Sequence, residues 1–225
     1  MALEIFCQTL DNCPCFVIIE CVLGCGCRPN GRFPARLMKG VEIMIYLFLA
    51  NGFEEIEAIA PLDILRRAEL EVVTVGVTGK TVRGAHGITV TADIEAKDAT
   101  LGHLDMVVLP GGMPGTLNLE KSEIVQYFID FCAHNDKWLA AICAAPSILG
   151  HAGLLSGKRY TCFPGYETQG QEGIYTAAPV EQDGKLVTAA GAGVAPEFGF
   201  KLVEVLLGRQ RADGIKAAMQ CRDSI

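Results

Sequence analysis

Residues 41–69 read VEIMIYLFLANGFEEIEAIAPLDILRRAE. Residues 41–50 form an apolar run of the kind carried by a strand buried on both faces, and Asn51-Gly52 ends it with turn chemistry. Over residues 54–69 the apolar positions Ile56, Ile59, Ala60, Leu62, Ile64 and Leu65 recur at helical spacing. The stretch is therefore strand, turn, helix. Pro61 inside the helical pattern predicts a kink or a first turn, which leaves the helix start open.

The alternation continues downstream. Residues 71–77 and 88–92 read as strands on either side of the turn region 84–87, and residues 106–109 are an apolar run stopped by Pro110-Gly111-Gly112. Ser122 suits the N-cap of a helix whose apolar stripe is Ile124, Val125, Phe128, Ile129 and Cys132. Residues 138–142 form the next strand, and the short helix after Cys143 should end near Gly150. Residues 159–163, 176–180 and 186–190 read as strands, the last two joined by a hairpin at Asp183-Gly184. Helices over about 195–207 and 212–219 follow. Strands buried on both faces and alternating with helices predict an α/β fold: a mostly parallel sheet with helices on both faces and an antiparallel excursion near the hairpin.

The chain has 225 residues, half of them hydrophobic, a length that a single α/β domain can use in full. A net charge of −7 and the lack of any Lys/Arg cluster with interleaved aromatics predict no nucleic-acid site. The most membrane-like segment, residues 15–27, is interrupted by Glu20 and is shorter than the ~20 apolar residues of a spanning helix. Residues 1–12 hold Glu4 and Asp11 but no Lys or Arg, unlike the basic start of a secretory signal, so the cytoplasm is the expected compartment.

Cysteine usage divides the chain. Six of the ten cysteines lie in the first 27 residues, and residues 1–43 are charge-neutral, with four basic and four acidic side chains. Cys13-Pro-Cys15 and Cys21-x3-Cys25-x-Cys27 could hold a soft metal, but they lack a paired C-x2-C spacing and a histidine partner. Residues 1–43 are expected to be a poorly ordered extension, or sequence upstream of a start at Met38 or Met44, and residues 44–225 a single domain.

In folds of this kind, sites lie at the carboxyl ends of the strands. That rule gathers residues 51–57, Pro110-Gly111-Gly112 and Cys143, within AAICAAPS (140–147), on one rim. Cys143 is either a small core residue or a nucleophile at a strand-to-helix turn. In the second case the helix N-terminus should lower its pKa, Ala144 and Ala145 leave room for substrate, and Pro146 fits the first helical turn. Glu54 and Glu55 are accounted for by the helix dipole, whereas a carboxyl of this group facing a thiolate would share a proton with it. Gly111 and Gly112 read equally as a plain turn or as N–H donors to an oxyanion. No histidine adjoins Cys143, and His103, His134 and His151 read as solvated side chains.

Four blocks, LANGFEEIEAIAPLDILRRA (49–68), DMVVLPGG (105–112), AAICAAPSIL (140–149) and VTAAGAGVAPEFGFKLVEVLLG (187–208), resemble the ThiJ/PfpI superfamily in the branch of the parkinsonism-linked protein deglycase and its bacterial relatives. The resemblance covers roughly residues 43–220. It implies a flavodoxin-like three-layer sandwich, a homodimer, and no required cofactor or metal. It also implies a catalytic pair, Cys143 as nucleophile and Glu57 hydrogen-bonded to it, with Gly111, Gly112 and Ala144 binding the oxyanion. The activity implied is glyoxalase or deglycase chemistry on methylglyoxal and other small carbonyl compounds, or on glycated protein and nucleotides. An alternative is an oxidative-stress sensor or redox-regulated chaperone in which Cys143 is oxidised to sulfenate or sulfinate. Two departures stand out. Phe163 occupies a position where many relatives carry histidine, and Ala144 replaces the histidine that follows the nucleophile in the protease-like branch. No histidine follows His151, which also disfavours a glutamine amidotransferase.

Overall fold

Alternate residues of strand β1 (Met44–Leu49) enter two different cores. Ile45, Leu47 and Leu49 pack into one, and Tyr46 and Phe48 into the other. A strand has a side-chain period of two, so this partition makes β1 the buried centre of a three-layer structure. The same split recurs in β6 (Leu104–Leu109), where Met106 and Val108 face one core and Val107 and Leu109 the other. The computed structural model in which this is seen describes residues 43–221, so the expectations for the cysteine-rich leader lie outside the described residues.

The sheet has seven strands in the order β10-β11-β7-β6-β1-β2-β5. Its other members are β2 (Glu71–Gly76), β5 (Ile94–Glu95), β7 (Trp138–Ile142), β10 (Val180–Asp183) and β11 (Leu186–Ala189). Only β10 runs antiparallel, paired with β11 through Val180↔Ala189 to Asp183↔Leu186. The remaining short strands, β3 (Thr81–Arg83) with β4 (Thr89–Thr91) and β8 (Arg159–Tyr160) with β9 (Ile174–Tyr175), form two separate two-stranded ladders. The expected flavodoxin-like arrangement, a mostly parallel sheet with helices on both faces, is therefore the observed one.

Helices α1 (Glu55–Arg67), α5 (Ala195–Leu207) and α6 (Arg209–Ala218) cover one face. The other carries α3 (Glu123–His134) and α4 (Pro146–His151), with α2 (Gly115–Glu120) beside them. Ser122 caps α3 by accepting from Val125 N–H at 3.4 Å, as its position in the sequence indicated. Helix α1 differs from expectation. Its interior face is Ala58, Pro61, Leu62, Ile64 and Leu65, while Ile56 and Ile59 are 55% and 40% exposed. Pro61 lies well inside the helix rather than in its first turn.

The region after β7 also departs from the sequence reading. The strand expected over 159–163 stops at Tyr160, and the one expected over 176–180 is replaced by β9 before it and β10 after it. The hairpin loop is Gly184-Lys185, since Asp183 is still paired in the ladder.

Candidate active site

Four strands end at one rim. β1 leads into Asn51-Gly52 and α1, β6 into Pro110-Gly111-Gly112, β7 into Cys143, and β11 into the turn Ala192–Val194. The first two loops are tied together: Glu54 N–H donates to the Gly111 carbonyl at 2.9 Å and Gly115 N–H to the Gly52 carbonyl at 3.1 Å. Cys143 is pinned on both sides, donating its N–H to the Ala189 carbonyl at 2.9 Å and accepting from Phe163 N–H at 2.8 Å. Held in this way it has φ +64°. For a residue with a side chain that conformation costs about 1–2 kcal/mol, and such strain is characteristic of sharp strand-to-helix turns that present a nucleophile.

Glu57, in the first turn of α1, is 1% exposed. One oxygen, Oε2, accepts from Gly111 N–H at 3.0 Å, and the carboxyl is also hydrogen-bonded by Ala192 N–H and the Cys143 thiol. Burial, reinforced by the neighbouring Glu54 charge, raises its pKa to about 7. Cys143 is half-buried. Burial and then the facing Glu57 carboxylate push its thiol up, while the N–H groups of Ala144 and Gly112 pull it down.

The expected simple fall in the Cys143 pKa is thus corrected. Helix α4 begins only at Pro146 and has six residues, so little of its dipole reaches the sulfur. Acid and thiol titrate as a coupled pair. The pair loses its first proton near the Glu57 value of about 7, and the charge left behind opposes loss of the second.

Gly111 is required by this closeness. A Cβ there would lie 2.6 Å from Glu57 Oε2 and 2.8 Å from Cys143 Cβ. Its N–H is already committed to Glu57, so of the three expected oxyanion donors only Gly112 and Ala144 point at the sulfur. One neighbour was not foreseen from the sequence, and another was met there only as a departure from the family. Ala192 sits in the small-residue run after β11, where Ala190-Gly191-Ala192-Gly193 was the available signal. Phe163, 48% exposed, borders the acid: a Cβ built on Gly191 would be 3.3 Å from its ring and 3.9 Å from Glu57 Oε1. An aromatic ring has no proton to relay.

The other two acids divide. Glu54 caps α1, accepting from Glu57 N–H at 2.8 Å, as the dipole reading expected. Glu55 does something else: it is buried and accepts from His86 N–H at 2.8 Å and Ile88 N–H at 3.3 Å, while its second oxygen meets the His86 ring at 2.9 Å. Burial alone would raise its pKa, but these contacts outweigh that and hold the carboxyl below its ordinary range. Ligand atoms of Glu54, Glu55 and His86 lie within 4.8 Å of one another. Since the Glu55 oxygens are already satisfied, the cluster is a self-contained ion pair rather than a set of free metal ligands. His151 is likewise not simply solvated: it bridges Glu120 and Gln169, and both partners raise its pKa.

A family model described as the DJ-1/PfpI family matches residues 43–205. The Parkinson disease protein 7 homolog of Danio rerio is 34% identical over 191 residues, covering 83% of this chain and 100% of that protein. The glutathione-independent glyoxalase DJR-1.2 of Caenorhabditis elegans is 30% identical over 180 residues, covering 79% of this chain and 96% of that one. Protein DJ-1 homolog B of Arabidopsis thaliana is 35% identical over 77% of this chain, which spans only 40% of that longer relative. Among solved structures, a mutant of a DJ-1 superfamily protein from Salmonella typhimurium superposes with a TM-score of 0.77 at 34% identity, over 80% of this chain and 99% of the other. Oxidized DJ-1 from Toxoplasma gondii gives 0.76 at 33% identity, over 79% and 97%.

Proposed function

The chain belongs to the DJ-1/PfpI family, and from that premise we propose that it is a cysteine-dependent, cofactor-independent glyoxalase or deglycase in which Cys143 is the nucleophile and Glu57 the acid–base partner. The observation that carries this reading is the buried Glu57 carboxyl, raised to about 7 and hydrogen-bonded to a thiol at the end of β7. A general acid–base group works best when its pKa lies near the operating pH.

In this proposal the sulfur of the monoanionic pair adds to the aldehyde carbon of methylglyoxal, forming a C–S bond and an alkoxide. The N–H groups of Gly112 and Ala144 receive that charge. Glu57, left holding the pair's proton as the sulfur adds, gives that proton to the alkoxide; as a carboxylate it then takes the proton from the former aldehyde carbon and returns it to the adjacent ketone carbon, through an enediol. The product of this internal redox step is a lactoyl thioester. Water hydrolyses it to lactate and restores the thiol, so the sum is methylglyoxal plus water giving lactic acid. The same addition to the early adduct of a glycated amine would release the amine instead. Gly111 acts as a positioning residue through its hydrogen bond to Glu57.

Purified full-length protein given methylglyoxal should produce lactate, and Cys143→Ser should abolish turnover. Equal lactate formation by both proteins would remove the proposal. Four cysteines of the described region, including Cys143, are unpaired, which suits a reducing compartment such as the cytoplasm.

The homodimer belongs to the same proposal. Ile56, Ile59 and Ile88 are exposed together along a shallow apolar cleft of about 700 Å³ that also includes Val90, Pro196 and Met219. A second copy related by a two-fold axis would cover this face.

A redox role is supported by the unequal cysteines. Cys132 and Cys162 are buried away from solvent, whereas Cys143 is only half-buried and stands at the rim where an oxidant can reach it. Mild peroxide should therefore add oxygen at Cys143 before Cys132 or Cys162, as read by peptide mass. Oxidation spread over Cys132, Cys162 and the exposed Cys221 would exclude a sensor.

A further inference from the structure

At the opposite ends of the strands from Cys143 lies a cleft of about 560 Å³, within the roughly 300–1,000 Å³ usual for small-molecule sites. It opens where α3 ends, β7 begins and the β10–β11 hairpin turns. Its floor is apolar, made by Cys132, Leu139, Leu154 and Leu186. The carbonyls at the end of α3 are turned away from a ligand by their own partners. Phe131 accepts from both the N–H and the side-chain amide of Asn135, and Cys132 accepts from Lys137 N–H.

The mouth is different. Lys137, Lys158 and Lys185 line it together with one acid, Asp136. Lys137 is committed to Asp105 at 2.8 Å. Lys185 holds Asp136 only loosely, at 4.0 Å, and rests 4.8 Å over the ring of Trp138. Lys158 has no ion pair among the described residues. In a chain with a net charge of −7, two ammonium groups without a close carboxylate beside an apolar floor are a local inversion of charge. A ligand matched to both features has an apolar body and a single anionic head.

We propose that this cleft binds a small monocarboxylate with an aliphatic body, the chain lying on the Leu139, Leu154 and Leu186 floor and the carboxylate reaching Lys158 and Lys185. The site is separate from the catalytic rim. Trp138 opens β7 and Cys143 follows its last residue, so the two are about 17 Å apart at roughly 3.3 Å per strand residue.

Trp138 is the chain's only tryptophan and lines this cleft, so its emission reports occupancy here; it also borders a smaller cleft of about 290 Å³ beside Ile43, Val205 and Leu206, and Lys158, which lines only the first, tells the two apart. Full-length protein titrated with decanoate below its micellar concentration should show a saturable change in that emission. Decan-1-ol, with the same body and no charge, should bind about ten-fold more weakly, and Lys158→Glu should weaken decanoate about five-fold, as an exposed charge contact allows. Lys158→Arg should bind as the unaltered protein does. Cys143→Ser should bind decanoate unchanged, which separates this site from the proposed catalytic reading. The absence of a saturable change, or equal binding of decanoate and decanol to the unaltered protein, overturns the proposal whether or not the lysine variants fold. An unchanged affinity in a folded Lys158→Glu protein overturns it too.

Discussion

Glu57 is an acid held where ionisation is costly, and stability should register the cost. Its carboxyl is raised from 4.5 to about 7, so the folded protein keeps the proton over a range where the unfolded chain has released it. The contribution to stability is whole below pH 4.5 and is lost as pH rises through about 7. The loss should amount to about 3 kcal/mol, because each ten-fold difference in proton affinity between the folded and unfolded chain is worth about 1.4 kcal/mol. Urea denaturation of Glu57→Gln should therefore lack this fall, and an unchanged slope between the two pH values would contradict the assigned environment. Gly111→Ala tests the closeness of the pair. Its methyl group must displace the acid or the cysteine, so lactate formation should drop by about a hundred-fold or more, while overpacking costs only about 1–3 kcal/mol. Activity near that of the unaltered protein would show that Gly111 does not position Glu57. At this scale the place of Cys143 between a strand and a helix was legible, because an apolar run precedes it and Pro146 starts the helix after it. The use of the Gly111 N–H, the Ala192 contact and the Glu55–His86 pair were not legible. They depend on which loops meet across the rim, and that is set by residues far apart in the chain.

Helix α1 shows why an element can be recognised and its faces misassigned. The residues 54–69 carry apolar side chains around more than one side, and periodicity cannot tell a face turned to the sheet from one turned outward. Packing decides it. Gly199 of α5 lies against α1, and a Cβ there would come within 3.0 Å of Pro61 Cα and 2.9 Å of Ile64 Cδ1. The two helices can cross this closely only because a side chain is missing, and that fixes which side of α1 is interior. Gly199→Val should lower stability by about 1–3 kcal/mol through overpacking, measurable as a reduced denaturation midpoint. No change in midpoint would mean that the two helices have room to spare at their crossing. Strands β1, β6 and β7 were legible because they are long and buried on both faces. Strand β8 was read too long and the two-residue β9 was missed, since so short a ladder carries no periodicity to read.

Across the whole molecule, the proposed two-fold contact has a direct test. Placing a charge in the apolar cleft, as in Ile59→Asp, should give a monomer by sedimentation at concentrations where the unaltered protein is a dimer. A dimer that persists would place the contact elsewhere. The layered architecture was readable from the alternation of strands and helices, as was the antiparallel hairpin at one border of the sheet, though not the bounds of β10 or the presence of β5 at the other. At one border β5 is only two residues long. At the other β10 runs against its neighbour and carries Glu181, paired with Arg159 at 3.0 Å. Among the described residues, neither border offers a long unguarded row of backbone donors and acceptors. Were two copies to pair as proposed, a molecule adhesive on one helix and blunt along both margins would have a way to stop: pairing would exhaust its adhesive surface, and stacking into fibres would find no foothold.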